Sequence, residues 1–273
     1  MKLSACLVIH NEEKVLARCL ESIKNLSDEI IIIHDGPCRD RSLEIARQFN
    51  AQIYVEDFIG EAEFHRPLLF TKAKGEWLLS IDADEILNEE IRRKIPELIA
   101  SNQCDAYSFS WPYPDYHGII SKGPFSKTVK PSLFRKKLAF MIGLSHEYPR
   151  TYGRSCTRLD FRIDHRPSYD NYSFRVFRKK WLRWAAIQAK QLNHLDRLPL
   201  FNISSKKDNP QINKLRKINQ FPILTGFAET IKYVLLFLSR GILIAGTKSW
   251  KIAALEILYI WLVRFHLLKL KYG

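Results

Sequence analysis

The sequence predicts an α/β fold, a doubly wound sheet, followed by a C-terminal helical extension that associates with a membrane. Three observations carry this. Short apolar runs alternate with helical patterns through the first hundred residues. Three of those runs stop abruptly at polar residues: His10-Asn11-Glu12-Glu13, His34-Asp35, and Asp82-Ala83-Asp84-Glu85. In a parallel sheet such strand ends share one crevice, where ligands of open α/β sheets bind. The last fifty residues are apolar and interrupted by basic side chains.

The elements follow in order. Leu3–Ile9 reads as a first strand, too short for a signal peptide. Asn11 is a candidate N-cap for a helix through Leu16, Leu20 and Ile23. Glu29–Ile33 is a second strand, and Asp40 or Ser42 opens a helix carrying Leu43, Ile45, Ala46 and Phe49. Ala51–Val55 is a third strand, Phe64–Ala73 a helix, and Leu78–Ile81 a fourth strand.

The fourth strand ends in three carboxylates, Asp82, Asp84 and Glu85. Clustered acids repel unless something positive stands between them. A hard divalent cation meets that need, since Mg²⁺ and Mn²⁺ take carboxylate oxygens and keep positions open for phosphates. A solvated acidic turn before a helix fits these residues equally. One acidic strand end is ordinary, whereas three converging ends are better explained by a site.

The order VIHNEE, IIIHDG, EWLLSIDADE resembles the nucleotide-sugar-binding half of family 2 glycosyltransferases, above all those that add glucose to the lipopolysaccharide inner core. Three departures stand out: His34 replaces the first Asp of the family's Asp-Asp-Gly-Ser, Pro37-Cys38-Arg39 adds a residue to that turn, and His65-Arg66-Pro67 stands where Arg-Asn is common. The resemblance implies the GT-A fold, a Rossmann-like, doubly wound mixed sheet. It also implies site roles. Asp35 would contact the uracil, Asn11, Glu12 and Glu13 would line the nucleoside pocket, and Arg66 would face the uridine or pyrophosphate. Asp82 would sit near the ribose and the metal, and Asp84 would bind Mn²⁺ or Mg²⁺ directly. On the residues alone, Arg66 is equally an exposed helical arginine, and one of Glu12 and Glu13 is first-turn charge favoured by the helix dipole.

Past residue 104 the pattern changes. Asp105–Trp111 alternates as an antiparallel strand does, and loops rich in Tyr and Trp follow, marked by Pro112, Pro114, Gly118, Gly123 and Pro124. Lys130–Phe134 is a further strand or bend. In the resembling family a Gly-x-x-His-Glu-like stretch supplies the catalytic base, a role that falls on Glu147, while a surface Glu beside His146 is the plain alternative. Phe161–His165 ends a strand in a histidine. The family resemblance makes His165 a third metal ligand; pairing with Asp164 or capping the next helix is the alternative.

Charge divides the chain. Residues 1–121 carry 13 Lys and Arg against 21 Asp and Glu, a net of −8, and residues 122–273 a net of +22. Such asymmetry calls for an anionic partner of the C-terminal part. From Ser173 the chain is helical and basic through Arg175, Arg178, Lys179, Lys180 and Arg183, and Asn202–Asn209 reads as a linker. Thr225–Ala245 and Ile252–Val263 are apolar but interrupted, short of the roughly 20 apolar residues of a spanning helix. They suit a helix hairpin in the interface of an anionic membrane. A helical pair packed on the catalytic domain fits as well. A nucleic-acid-binding protein is the competing class, but no nucleic-acid motif occurs and such binding needs no apolar helices.

The five cysteines are odd in number and widely spaced, which speaks against a disulfide framework and for a reducing compartment. The expectations combine as three segments: residues 1–104 for the nucleotide-sugar donor, 105–200 for the acceptor and 201–273 as the extension. The donor is a UDP-sugar, by analogy UDP-glucose, and the acceptor a glycolipid or lipopolysaccharide-type molecule. The partner surface is the cytoplasmic face of the inner membrane, with no nucleic acid.

Overall fold

A computed structural model describes residues 2–115, 118–119, 122–170, 172–204 and 209–273. Its elements run β1 (Leu3–Ile9), α1 (Leu16–Ile23), β2 (Glu29–Asp35), α2 (Ser42–Gln48), β3 (Gln52–Glu56), α3 (Ala62–Lys72), β4 (Trp77–Ser80), β5 (Glu85–Leu87), α4 (Glu89–Ser101) and β6 (Ala106–Ser110). There follow β7 (Pro114–Asp115), β8 (Gly118–Ile119), β9 (Val129–Arg135), β10 (Ala139–Ile142), β11 (Arg150–Thr151) and β12 (Ser155–His165). The remainder is α5 (Phe174–Val176), a π turn (Phe177–Trp181), α6 (Leu182–Asn193), β13 (Leu200–Phe201), α7 (Pro210–Gln220), α8 (Pro222–Ser239) and α9 (Thr247–Tyr272).

The chain forms two compact units, both discontinuous in sequence. The first comprises residues 1–114, 128–168 and 199–202; the second comprises 115–127, 169–198 and 203–273.

The first unit is built on an eight-stranded sheet of order β3-β2-β1-β4-β9-β6-β12-β5. Strands β1 to β4 pair in parallel, as expected from their alternation with helices. Strand β9 then runs antiparallel between β4 and β6, so the sheet is mixed. Every residue of β1 and β2 is buried, because helices cover both faces. Leu3, Ala5, Leu7 and Ile9 meet α1 and α4, while Cys6 and Val8 meet α3. This period-2 division of one apolar run is what a doubly wound sheet requires.

Strand order explains how the site forms. Strands β4 and β5 are separated by residues 81–84, yet three strands lie between them in the sheet. The sheet therefore curls, and the acidic turn spans from its middle to the edge strand β5. There His165 of β12 pairs with Glu85.

Two local expectations are corrected. Asn11 is not an N-cap: it adopts a left-handed φ of 55°, its Oδ1 accepts from Arg39 N at 2.7 Å, and α1 starts at Leu16. Asn tolerates that conformation better than most residues. Cys104 and Cys156 form a disulfide, although they lie 52 residues apart. Parallel pairing of β6 with β12 brings them together, which spacing along the chain does not reveal.

The second unit is helical. Ser173 caps α5, accepting from Val176 N, and Asn209 caps α7 ahead of Pro210, accepting from Gln211 N and Ile212 N. Helix α9 packs against α6 and α8. Gly226, Thr230 and Glu229 of α8 face α9: Trp261 Nε1 donates to Thr230 Oγ1 at 3.1 Å, and Arg264 donates to Glu229 at 2.5 Å. The linker residues 205–208 lie outside the described residues.

Candidate active site

The acidic turn after β4 is held in a charge-compensated cluster inside the first unit. Lys130, 1% exposed on β9, places Nζ 2.6 Å from Asp82 Oδ2 and 2.7 Å from both Glu85 oxygens. Buried Arg66 of α3 donates to the other Asp82 oxygen at 2.5 Å and to Ser80 Oγ at 3.1 Å. Glu85 also accepts from Asp82 N at 2.8 Å and from Trp111 Nε1 at 2.6 Å. Two carboxylates thus meet two cations. Buried ions persist only when paired and hydrogen-bonded in this way.

The pKa directions follow from that arrangement. Burial alone would raise the Asp82 carboxyl, but Lys130 and Arg66 outweigh it and hold it well below the usual carboxylate range. Burial raises the Glu85 carboxyl, with Lys130 pulling the other way. Burial would lower the Lys130 ammonium, and Asp82 and Glu85 reverse that, so it stays charged.

Lys130 thereby corrects the expectation that a divalent cation is what separates these acids. The positive charge between Asp82 and Glu85 is a side chain. Asp84 stands apart from the cluster: its carboxylate is 24% exposed and lies 3.1 Å from His165 Nε2. Its carbonyl accepts from Arg166 N at 2.7 Å, which ties the turn to the end of β12. His165 stacks on Trp111 with ring centroids 4.5 Å apart. Burial works against its imidazolium, but Asp84 and Glu85 prevail and raise its pKa.

Among the described residues no group of three or more His, Cys, Asp and Glu stands ready to hold a metal ion. The pair Asp84 and His165 nevertheless fits a Mg²⁺ or Mn²⁺ that draws its other ligands from water and substrate phosphate. In the structure their 3.1 Å Nε2–Oδ2 separation is that of a hydrogen bond, and the same two atoms would hold the ion.

The other strand ends are organised by hydrogen bonds. Asp35 is 3% exposed, and its oxygens accept from Ile59 N at 2.6 Å and Gly60 N at 2.7 Å, with His65 Nε2 2.9 Å away. Burial would raise its carboxyl; His65 and the two amides more than offset this and hold it below the ordinary value. Asp35 thus pins the loop after β3. Buried His34, the departure from the family pattern, accepts from Asn11 N at 3.3 Å through Nε2. Its Nδ1 meets Gly36 O at 2.7 Å, so it cross-links the ends of β1 and β2. Glu13 accepts from Arg41 N at 3.1 Å, and its own N–H donates to Asp40, while Glu12 N donates to Ser42 Oγ at 2.7 Å. Around this rim His10 and the half-exposed Phe58 place their rings 4.9 Å apart.

Glu147 lies in the turn after β10 and accepts from Arg150 at 3.2 Å. Its neighbour Tyr148 is within electrostatic reach of Lys130, Asp82 and Arg66. Sequence reasoning brought Arg66, Asp82, Asp84 and His165 to one place but missed Lys130, Trp111 and the buried role of Glu85. Lys130, Ser132 and Phe134 share one face of β9 and are all buried, as is Leu133 on the other face.

Known proteins resemble this chain in part. An uncharacterized glycosyltransferase of Rickettsia bellii (strain RML369-C) is 33% identical over 106 residues, covering 39% of this chain and 35% of that protein. Glycosyltransferase SunS of Bacillus phage SPbeta is 26% identical over 151 residues, covering 55% and 35%. The match thus spans about a third of the length of these relatives. Among solved structures, S. aureus TarS 1–349 in complex with UDP aligns with a TM-score of 0.49 at 16% identity, covering 100% of this chain and 92% of that one. Glucosyl-3-phosphoglycerate synthase from Mycobacterium tuberculosis, in complex with Mn²⁺ and UDP-glucose, aligns with a TM-score of 0.33 at 19% identity, covering 40% and 43%. The glycosyl transferase family 2 model matches residues 4–183, which embrace every strand end described above, and the chain belongs to that family.

Proposed function

We propose that the chain is an inverting glycosyltransferase that moves a sugar from a nucleotide diphosphate donor to a hydroxyl of a glycolipid or lipopolysaccharide-type acceptor. The observation that carries this is the compensated cluster of Asp82, Glu85, Lys130 and Arg66, which leaves Asp84, hydrogen-bonded to His165, outside the paired charges in a family 2 domain. UDP-glucose is the leading donor, on the likeness of the acidic turn to glucose-adding relatives.

The residue roles are those the family resemblance implies. The rim of Asn11, Glu13 and Asp35 frames the nucleoside end, with Asp35 fixing its loop. Arg66 and Asp82 stand toward the ribose and diphosphate. Asp84 and His165 would hold Mn²⁺ or Mg²⁺. When bound there, the ion supplies positive charge for the diphosphate leaving group. Glu147 takes the proton of the attacking acceptor hydroxyl.

The second unit suits the cytoplasmic face of an inner membrane. It carries 21 Lys and Arg against 6 Asp and Glu, a net of +15, while the first unit nets −1. Helix α8 presents Ile223, Leu224, Phe227, Ile231, Val234, Leu235 and Leu238 to solvent, and Leu243 and Ile244 extend the stripe. Such a stripe beside cations suits the interface of an anionic bilayer. By length and composition α8 is also apolar enough to cross a membrane. Exposed Lys232 near its middle favours lying in the plane, since a lysine at the bilayer centre costs about 3 kcal/mol.

The test is a panel of nucleotide sugars assayed for hydrolysis and thermal stabilisation with Mn²⁺, Mg²⁺ or chelator. One UDP-sugar should stabilise the protein only with metal, and Glu147→Gln should keep that binding while losing transfer. No response to any nucleotide sugar, with salt-sensitive RNA or DNA binding instead, would sink the proposal.

A further inference from the structure

Ligand histidines are ordinarily oriented by a hydrogen bond from the ring nitrogen that faces away from the metal. His165 lacks one: Nε2 faces Asp84, and Nδ1 is buried with no hydrogen-bond partner. Something else must hold its ring. The face of His165 lies on the Trp111 indole, the planes inclined by 22°. The indole is itself fixed, because Nε1 donates to Glu85 at 2.6 Å. Glu85 is fully buried and held from both oxygens by Lys130 and from below by Asp82 N. The Trp111 backbone is pinned as well, through Trp111 N to Thr128 O at 2.8 Å and a bond from the Thr128 hydroxyl to the Trp111 carbonyl.

We propose that Trp111 is a positioning residue for His165. Its stacked indole replaces the missing hydrogen bond, and Lys130 and Glu85 anchor it. The relay has a direction. The charges of Lys130 and Glu85 are spent on each other and on the indole N–H, so they orient the imidazole without competing for the cation. The indole offers no lone pair to a cation, so its effect on the metal passes through the ring plane of His165.

This inference rests on the reading of Asp84 and His165 as metal ligands. It is tested in the full chain, without nucleotide, by measuring Mn²⁺ affinity through the electron paramagnetic resonance of the free ion. Melting temperature is recorded alongside to confirm folding. Trp111→Leu should weaken Mn²⁺ binding roughly tenfold, the size of effect that outer-shell partners exert. Trp111→Phe keeps a ring on the imidazole but loses the N–H, and should stay within about threefold of the parent. His165→Ala should weaken binding at least as much as Trp111→Leu. If His165→Ala is impaired while Trp111→Leu binds like the parent, the positioning role falls and the ligand pair stands. Phe as weak as Leu would overturn the stacking account. Equal affinity in the parent and His165→Ala would overturn both readings.

Discussion

The two units handle charge in opposite ways. The first nets −1 and draws its key charges inside, where Lys130 and Arg66 answer Asp82 and Glu85. The second nets +15 and, apart from Arg264 paired with Glu229, leaves cations such as Arg175, Arg178, Lys179 and Arg183 exposed. Buried charge demands paired geometry, so it fixes a turn to within a bond length. Exposed charge fixes nothing locally but acts over about a Debye length, roughly 8 Å at physiological salt. One region is built to place atoms and the other to attract a surface.

The largest effect should come from breaking the internal pairing. Lys130→Met strands Glu85, which is fully buried, and should cost about 3–5 kcal/mol in urea unfolding. Adding Glu85→Leu to that variant should recover most of the loss, since apolar replacements of buried pairs are often neutral. A single variant of parental stability would show the cluster to be weakly coupled.

In the second unit the half-buried acid Glu256 behaves otherwise. Burial raises Glu256 on α9 to about 7. An acid whose folded pKa lies above its unfolded value of 4.5 keeps its proton longer when folded, so stability falls as pH rises between those values. The loss approaches about 3 kcal/mol by pH 8 at most. Thermal unfolding of Glu256→Gln should lose this slope, and an unchanged slope would assign it elsewhere.

The smallest change in stability, and the clearest in partitioning, should follow from the exposed stripe. Ile231→Asp with Leu235→Asp alters residues 60% and 61% exposed, so the fold should shift by no more than about 0.5 kcal/mol. Co-sedimentation with vesicles of phosphatidylglycerol and phosphatidylethanolamine should nevertheless drop severalfold. Undiminished sedimentation would locate membrane contact in the basic surface alone.

Much of the first unit was legible in the sequence. The apolar runs and their polar ends gave β1, β2 and β4, because a doubly covered strand has a strong local signature. Arg66 and His165 were found through family spacing rather than physics. Lys130 was missed because it reaches Asp82 from 48 residues away, through an antiparallel strand inserted beside β4. The disulfide was missed because its cysteines, 52 residues apart, meet only through the parallel pairing of β6 with β12. In the last helices, composition gave two apolar segments but not their faces. The structure turns α9 toward α6 and α8 and leaves α8 as the exposed element.

The central claim is that Asp82 serves the cluster while Asp84 serves the ligand. Comparing Asp84→Asn with Asp82→Asn, for melting temperature and for Mn²⁺-dependent UDP binding by calorimetry, tests it most directly. The account predicts that Asp84→Asn melts like the parent and loses metal-dependent binding, whereas Asp82→Asn melts lower because Lys130 and Arg66 lose their shared partner. An Asp84→Asn protein that binds UDP with Mn²⁺ as the parent does would contradict it.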